Sequence, residues 1–195
     1  MIDLKELEVF AVQNNVPIIR PKTLEKLLEC VRTSNPQSIL EIGTAIGYSG
    51  IKMLAESNAN LTTIEKNPNS HNLAIQNFAK YGLLDRCECV LGDAGNVLTM
   101  LCEKNRKYDM IFLDGPKGQY IHYLPKLISL INPNGTIFAD NVLFRGMVNG
   151  PEFVPHRNRT IVVNLREYLD TVSKPPFESK IYDIEDGFCI SKMIK

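Results

Sequence analysis

The chain has 195 residues, and its 22 basic side chains balance 22 acidic ones. A composition of 44% hydrophobic and 23% charged residues excludes a disordered chain, and the zero balance excludes nucleic-acid binding driven by overall charge. No apolar run approaches the roughly 20 residues a membrane helix needs, and the first residues lack a secretory core, so a cytoplasmic protein without membrane contact is expected.

One domain, 1–195, is the simplest count for this length. In chain order, a polar amphipathic segment over about 3–14 reads as the first helix. Val16-Pro-Ile-Ile-Arg-Pro21 interrupts it, and Leu24, Leu27, Leu28 and Val31 set a second helix over 22–34. Asn35-Pro36 ends that helix. Ser38 to Gly43 is the first strand, about 47–57 a helix, and Leu61 to Glu65 the second strand. Asn67-Pro68 opens a helix to about Tyr81, with proline where its missing N–H costs little. Cys87 to Leu91 is a strand, 94–104 a helix, Tyr108 to Asp114 a strand, 118–131 a helix and Thr136 to Asp140 a strand. Asn132-Pro-Asn-Gly135 reads as a turn. Asn158 to Ser173 is helical, and Ile181–Ile184 and Phe188–Ile190 flank a hairpin turn at Glu185-Asp-Gly187. Such alternation predicts a mostly parallel sheet with helices on both faces, closed by an antiparallel pair.

Five cysteines, an odd number, fit a reducing compartment. Cys87 and Cys89 share one strand face, but the sequence offers no second pair or nearby histidine for zinc. All five read as structural, as do His71 and His122.

The most informative residues end the apolar runs. Asp114 closes one strand and Asp140-Asn141 another, so neighbouring parallel strands would bring the three together at the carboxyl edge, where open α/β sheets bind ligands. Two carboxylates and an amide oxygen suit a hard divalent cation such as magnesium, though other divalent ions fit the same donors. Lys117, three residues beyond Asp114, reads either as a base beside that cation or as a solvated residue opening a helix.

The first strand runs into Leu40-Glu-Ile-Gly-Thr-Ala-Ile-Gly-Tyr-Ser-Gly50, where Gly43 and Gly47 let the backbone bend and approach a ligand. Glu41 would repel a pyrophosphate but suits a cationic ligand, such as the amino acid end of S-adenosylmethionine. Glu65, about twenty residues on, stands where an acid holds ribose hydroxyls, or is a solvated strand end. Asp93-Ala94 would accept from an adenine amino group, or Asp93 caps the helix that follows.

Together these motifs (the Leu40–Ser49 turn, Glu65, Asp93-Ala94, Asp114-Gly-Pro-Lys117 and Asp140-Asn141) resemble those of the metal-dependent O-methyltransferases of the catechol and caffeoyl-CoA type, over roughly 16–193. The resemblance implies a Rossmann-like S-adenosylmethionine methyltransferase fold: a mostly parallel seven-stranded sheet with a C-terminal antiparallel hairpin. It implies that Glu41, Gly43, Thr44, Gly47, Tyr48, Ser49, Glu65, Asp93, Ala94 and Asp114 bind S-adenosylmethionine. Ile19 would close over the methionine portion, and residues 1–34 would form part of a lid. Asp114, Asp140 and Asn141 would ligate magnesium, with Lys117 as the base.

Within the family the chain is most similar to the small bacterial branch that methylates 5-hydroxyuridine at the tRNA wobble position. Pro17-Ile-Ile-Arg-Pro21, Lys117-Gly-Gln-Tyr120 and Asp186-Gly-Phe-Cys-Ile190 carry that match. The catechol enzymes have an aromatic residue where this chain has Pro116, and the chain contains no tryptophan, which favours a bulkier substrate or a more open mouth. The alternative is a small catechol-like or caffeoyl-CoA-like phenol. For a tRNA anticodon loop, Arg145, His156, Arg157 and Arg159, joined by Arg20, would face phosphates, with Phe144 or Phe153 under a base. The same residues could instead form a solvated basic loop or a dimer contact, a homodimer being expected.

Overall fold

The computed structural model describes residues 2–150 and 154–194, and Phe153 lies outside them. Seven strands form one sheet in the order β3-β2-β1-β4-β5-β7-β6, the mostly parallel α/β arrangement expected. By compactness the chain divides at Val97/Leu98 into two units.

The first unit carries α1 (Lys5–Gln13), α2 (Pro21–Ser34), β1 (Ser38–Ile42), α3 (Tyr48–Ala55), β2 (Asn60–Glu65), α4 (Pro68–Lys80) and β3 (Cys87–Leu91). The strands are parallel, with Glu41 beside Thr63 and Thr63 beside Cys89. Ile39, Leu40, Glu41 and Ile42 are all buried, as a strand covered on both faces requires. Local signals set the helix ends. Pro21 sits in the first turn of α2, and Asn35 caps its other end in a left-handed conformation, its N–H bonded to the Val31 carbonyl. Asn67 caps α4 by accepting from the N–H groups of Asn69 and Ser70. Leu27, Val31, Ile51, Met53 and Phe78 fill the core of this unit.

The second unit follows α5 (Ala94–Glu103) with β4 (Tyr108–Leu113), α6 (Tyr120–Leu130), β5 (Ile131–Asp140), α7 (Arg159–Val172), β6 (Phe177–Tyr182) and β7 (Phe188–Met193). β4 and β5 are parallel, while β7 runs antiparallel to both β5 and β6. Some boundaries differ from the sequence reading: β6 spans Phe177–Tyr182 instead of Ile181–Ile184, and β7 runs on past Ile190 to Met193. β5 begins at Ile131, not Thr136, because Ile131 already pairs with Tyr108. The register then slips before Met110 pairs with Thr136, and Asn134 takes φ +62°. The Asn-Pro-Asn-Gly segment is thus a bulge inside a strand, with the turn chemistry used to bend it. Phe112, Phe138 and Phe188 of the core and the half-buried Tyr182 form an aromatic row, the last three nearly parallel at centroid spacings of 4.9 and 4.7 Å.

Among the described residues no helix is long and apolar enough to cross a membrane. All five cysteines are free. Cys189 is buried, whereas Cys30 and Cys102 are only partly so. The Cys30 thiol is pushed up to about 11, chiefly by burial. Cys87 and Cys89 lie with sulfurs 3.5 Å apart, as their shared strand face predicts.

Candidate active site

In the first unit, the turn between β1 and α3 uses the left-handed region three times, at Gly43 (φ +105°), Ala45 (φ +46°) and Gly47 (φ +85°). A side chain at Gly47 would be strained by that φ and would press on the Phe78 ring at 3.1 Å. The turn is pinned from below. The N–H groups of Gly43 and Thr44 donate to the Ile64 carbonyl, and the Ala45 N–H donates to Glu65 Oε2 at 2.9 Å. Glu65 Oε1 also accepts from the N–H groups of Lys66 and Asn67. Glu65 is therefore not a merely solvated strand end: its carboxylate holds a strained residue in place.

Glu41 is fully buried under this turn. Its Oε1 accepts from Ser49 Oγ at 2.5 Å and its Oε2 from Thr63 Oγ1 at 2.6 Å. Thr63 Oγ1 has one proton and gives it to Glu41, so Thr44 Oγ1, 2.5 Å away, is the donor to Thr63. The carboxylate thus orients two other residues expected to line a cofactor pocket, Ser49 directly and Thr44 through Thr63. Thr63 was missed in the sequence, although strand alternation two residues before Glu65 could have marked it. Replacing Glu41 by alanine would strand two buried hydroxyls, at about 1–3 kcal/mol for each unsatisfied group. We expect Glu41→Ala to lower the urea midpoint clearly and Glu41→Gln to lower it less; equal midpoints for all three proteins would contradict the hydrogen-bond chain.

Around the turn, Tyr48 donates its hydroxyl to Glu8 Oε1 at 2.6 Å, tying α1 to the start of α3. Burial, followed by this bond to Glu8, raises the Tyr48 phenol well above its usual range. Ile19 is buried between α1 and α2 in sequence. Asp93 is exposed and caps α5 through Oδ1, which accepts from the Gly95 N–H at 2.9 Å, so the capping role is realised. Ala94 behind it is buried.

In the second unit, β4 and β5 end side by side, with Leu113 opposite Ala139 as the last pair. The next residues are Asp114 and Asp140, so the two acids follow the last paired residues of neighbouring strands, and the charge of Asp114 acts on Asp140. Asp140 is 3% exposed. Burial, then the charge of Asp114, pushes its carboxyl up to about 7, against the opposing effects of Lys117 and the Asn141 N–H. That N–H donates to Asp140 Oδ1 at 2.6 Å. Asn141 takes φ +55°, a conformation asparagine tolerates. Lys117 Nζ lies 2.5 Å from Asp114 Oδ1, the two side chains 17% and 25% exposed. It also reaches the Tyr120 hydroxyl at 3.1 Å.

Among the described residues no three His, Cys, Asp or Glu side chains group to hold a metal. The expected set differs in having two carboxylates and an amide. Its chemistry fits a hard dication, because burial and then the charge of Asp114 disfavour the ionised Asp140 carboxylate and a cation would offset both.

Beyond Asn141 the chain turns through Phe144 (φ +43°), Arg145 (φ +57°) and Gly146 (φ +73°). The hairpin between β6 and β7 braces this loop. Val142 and Leu143 donate to the carbonyls of Gly187 and Asp186, and the Arg145 N–H donates to Asp186 Oδ1. A Cβ on Gly187 would collide with the Leu143 side chain, which explains a glycine there. Arg145, Arg157 and Arg159 are exposed. Arg145 lies 6.0 Å from the Phe144 ring centroid, while Arg159 donates from Nε to the Val154 carbonyl. Arg20, in the first unit, is exposed at the start of α2.

The chain is similar over most of its length to known methyltransferases. It is 29% identical over 171 residues to caffeoyl-CoA O-methyltransferase 2 of Populus trichocarpa, covering 83% of this chain and 68% of that protein. Among solved structures, a candidate caffeoyl-CoA O-methyltransferase from Staphylococcus aureus superposes with a TM-score of 0.89 at 32% identity, covering 99% and 93% of the two chains. The O-methyltransferase from Bacillus cereus, solved with S-adenosylhomocysteine, gives 0.86 at 25% identity over 97% and 90%. Residues 2–194 match the model of one family from end to end, across both compact units, and the chain accordingly belongs to the O-methyltransferase family.

Proposed function

We propose that this enzyme transfers a methyl group from S-adenosylmethionine to the 5-hydroxyl of 5-hydroxyuridine at the tRNA wobble position, with a divalent cation, magnesium by preference. The observation that carries the chemistry is the acid pair Asp114 and Asp140 with Lys117 Nζ beside it. In the reaction the acceptor oxygen forms a bond to the sulfonium methyl carbon as the carbon–sulfur bond breaks, and the hydroxyl proton leaves to the neutral amine of Lys117, which has first released its ammonium proton to solvent. Asp114, Asp140 and Asn141 would hold the cation, whose positive charge favours ionisation of the acceptor hydroxyl. Glu41, with Thr44 and Ser49 fixed on it, and Glu65, at the mouth of the glycine turn, would hold the donor. The product 5-methoxyuridine and S-adenosylhomocysteine complete the balance.

The tRNA reading rests on the exposed Arg145, Arg157 and Arg159 downstream of the acid pair. A catechol-like or caffeoyl-CoA-like phenol is the second reading, favoured by the names of the relatives. One experiment separates the two. Purified protein, magnesium and labelled S-adenosylmethionine are offered tRNA bearing 5-hydroxyuridine, catechol or caffeoyl-CoA, and nucleosides and phenols are resolved by mass spectrometry. We expect 5-methoxyuridine; label only in the phenols would overturn the tRNA assignment.

The arginines supply a second check. Replacing Arg157 and Arg159 by alanine should weaken tRNA binding and flatten its salt dependence by about 0.7–0.9 in logarithmic slope per lost phosphate contact. An unchanged slope would remove these residues from the RNA surface.

A further inference from the structure

The hydroxyl of Tyr120 occupies a junction that the proposed chemistry leaves unassigned. It lies 2.9 Å from the carbonyl oxygen of Leu113 and 3.0 Å from that of Asp140, the last residues of β4 and β5. Both carbonyls stand at or just past the final backbone pair of those strands, Leu113 with Ala139. The hydroxyl has one proton, which it shares between the two carbonyls, and so accepts from Lys117 Nζ at 3.1 Å. The same ammonium stands 5.5 Å from the centroid of the Tyr120 ring.

Packing alone does not explain that hydroxyl. Tyr168, equally buried, meets the Tyr120 ring edge-on at 5.7 Å, yet its own hydroxyl has no hydrogen-bond partner among the described residues. Two tyrosines therefore fill the same core, and only one has its oxygen wired to the strand ends and to Lys117. Asp114 is committed both to Lys117 and to the proposed ligand set, so Tyr120 is the anchor of Nζ that carries no other assignment.

We infer that Tyr120 is a positioning residue, its hydroxyl fastening the ends of β4 and β5 so that Asp114 and Asp140 converge, and holding Lys117 Nζ beside them. This rests on the reading above, in which the acid pair binds a cation and Lys117 takes the proton.

The test compares Tyr120→Phe with Tyr168→Phe, both keeping the ring. Mn2+ binding is followed by calorimetry, and kcat and the KM for S-adenosylmethionine are measured with whichever acceptor the wild type methylates. We expect Tyr120→Phe to lose about 10–100-fold in Mn2+ affinity or kcat, as loss of an outer partner of a metal site does, with the KM for S-adenosylmethionine unchanged. Tyr168→Phe should match the wild type. In a Lys117→Met background, Tyr120→Phe should cost much less in kcat than it does alone. Wild-type behaviour of Tyr120→Phe, or an equal loss in Tyr168→Phe, would overturn the inference. Should the wild type bind no Mn2+ and turn over without cations, the cation reading fails by itself. The Lys117 cycle then decides for Tyr120: a non-additive loss supports it and an additive one overturns it.

Discussion

Lys117→Met should reduce kcat by about 10²–10⁴-fold, the range contributed by a positioned general base, while leaving the affinity for S-adenosylmethionine unchanged. The expectation follows from where Nζ sits. It is held by Asp114 Oδ1, one of the acids proposed to bind the cation, and by the Tyr120 hydroxyl. Methionine keeps much of the length and apolar stem and removes the amine. Lys117→Arg should not rescue activity, because a guanidinium stays protonated and cannot accept the hydroxyl proton. A structural role for the ion pair would predict the opposite, since arginine could restore a charge partner for Asp114. Removing Lys117 also removes the positive charge that holds the Asp140 carboxyl down, so that group should move further upward. Steady-state kinetics with both variants, together with calorimetry of S-adenosylmethionine binding, separate base from ion-pair partner. Retention of wild-type kcat in Lys117→Met would remove this residue from the chemistry.

Much of this site could be read from residue order, for physical reasons that can be named. A carboxylate at the end of an apolar run has only one place to go in a parallel sheet, the carboxyl edge, so Asp114 and Asp140 were legible once the strands were. Adjacency of β4 and β5 followed from their being consecutive, as sequential strands commonly are. The Asn67 cap and the Asn35-Pro36 stop were legible because they are local.

What escaped was non-local or ambiguous in period. Thr63 belongs to the Glu41 hydrogen-bond chain only because β2 lies beside β1 in a register that no local signal fixes. The sequence marks Tyr120 only as part of the 118–131 helix and of the Lys117-Gly-Gln-Tyr120 motif, and its hydroxyl acquires a purpose only when two strand ends are brought to it. The Asn-Pro-Asn-Gly segment carries real turn chemistry, but a bulge consumes it without ending the strand. Asp93 illustrates the reverse: its local capping role is visible in the structure, whereas a cofactor role needs a partner outside the chain.

The stability of cation-free protein should fall as pH rises from about 4 toward 7, the opposite of the usual behaviour of a paired aspartate. Asp140 sets the sign. Its carboxyl is pushed up to about 7, first by burial and then by Asp114. In that window the native state keeps a proton that the unfolded chain has already released, so each step upward in pH favours unfolding. The stabilisation is fully present below the unfolded value and is lost as pH passes through the folded one. Asp140→Asn replaces the ionisable group by a neutral one of the same shape, so thermal unfolding in EDTA should lose this slope and its midpoint above pH 7 should exceed that of the wild type. Magnesium should reverse the order: it raises the wild-type midpoint above pH 7 by mass action but leaves Asp140→Asn nearly unmoved. Activity should drop in parallel, by about 10²–10³-fold if the cation supplies several kcal/mol of transition-state stabilisation. Parallel pH profiles for the two proteins in EDTA would show that Asp140 is already ionised at neutral pH. Neither burial nor Asp114 would then hold that carboxyl above its ordinary range.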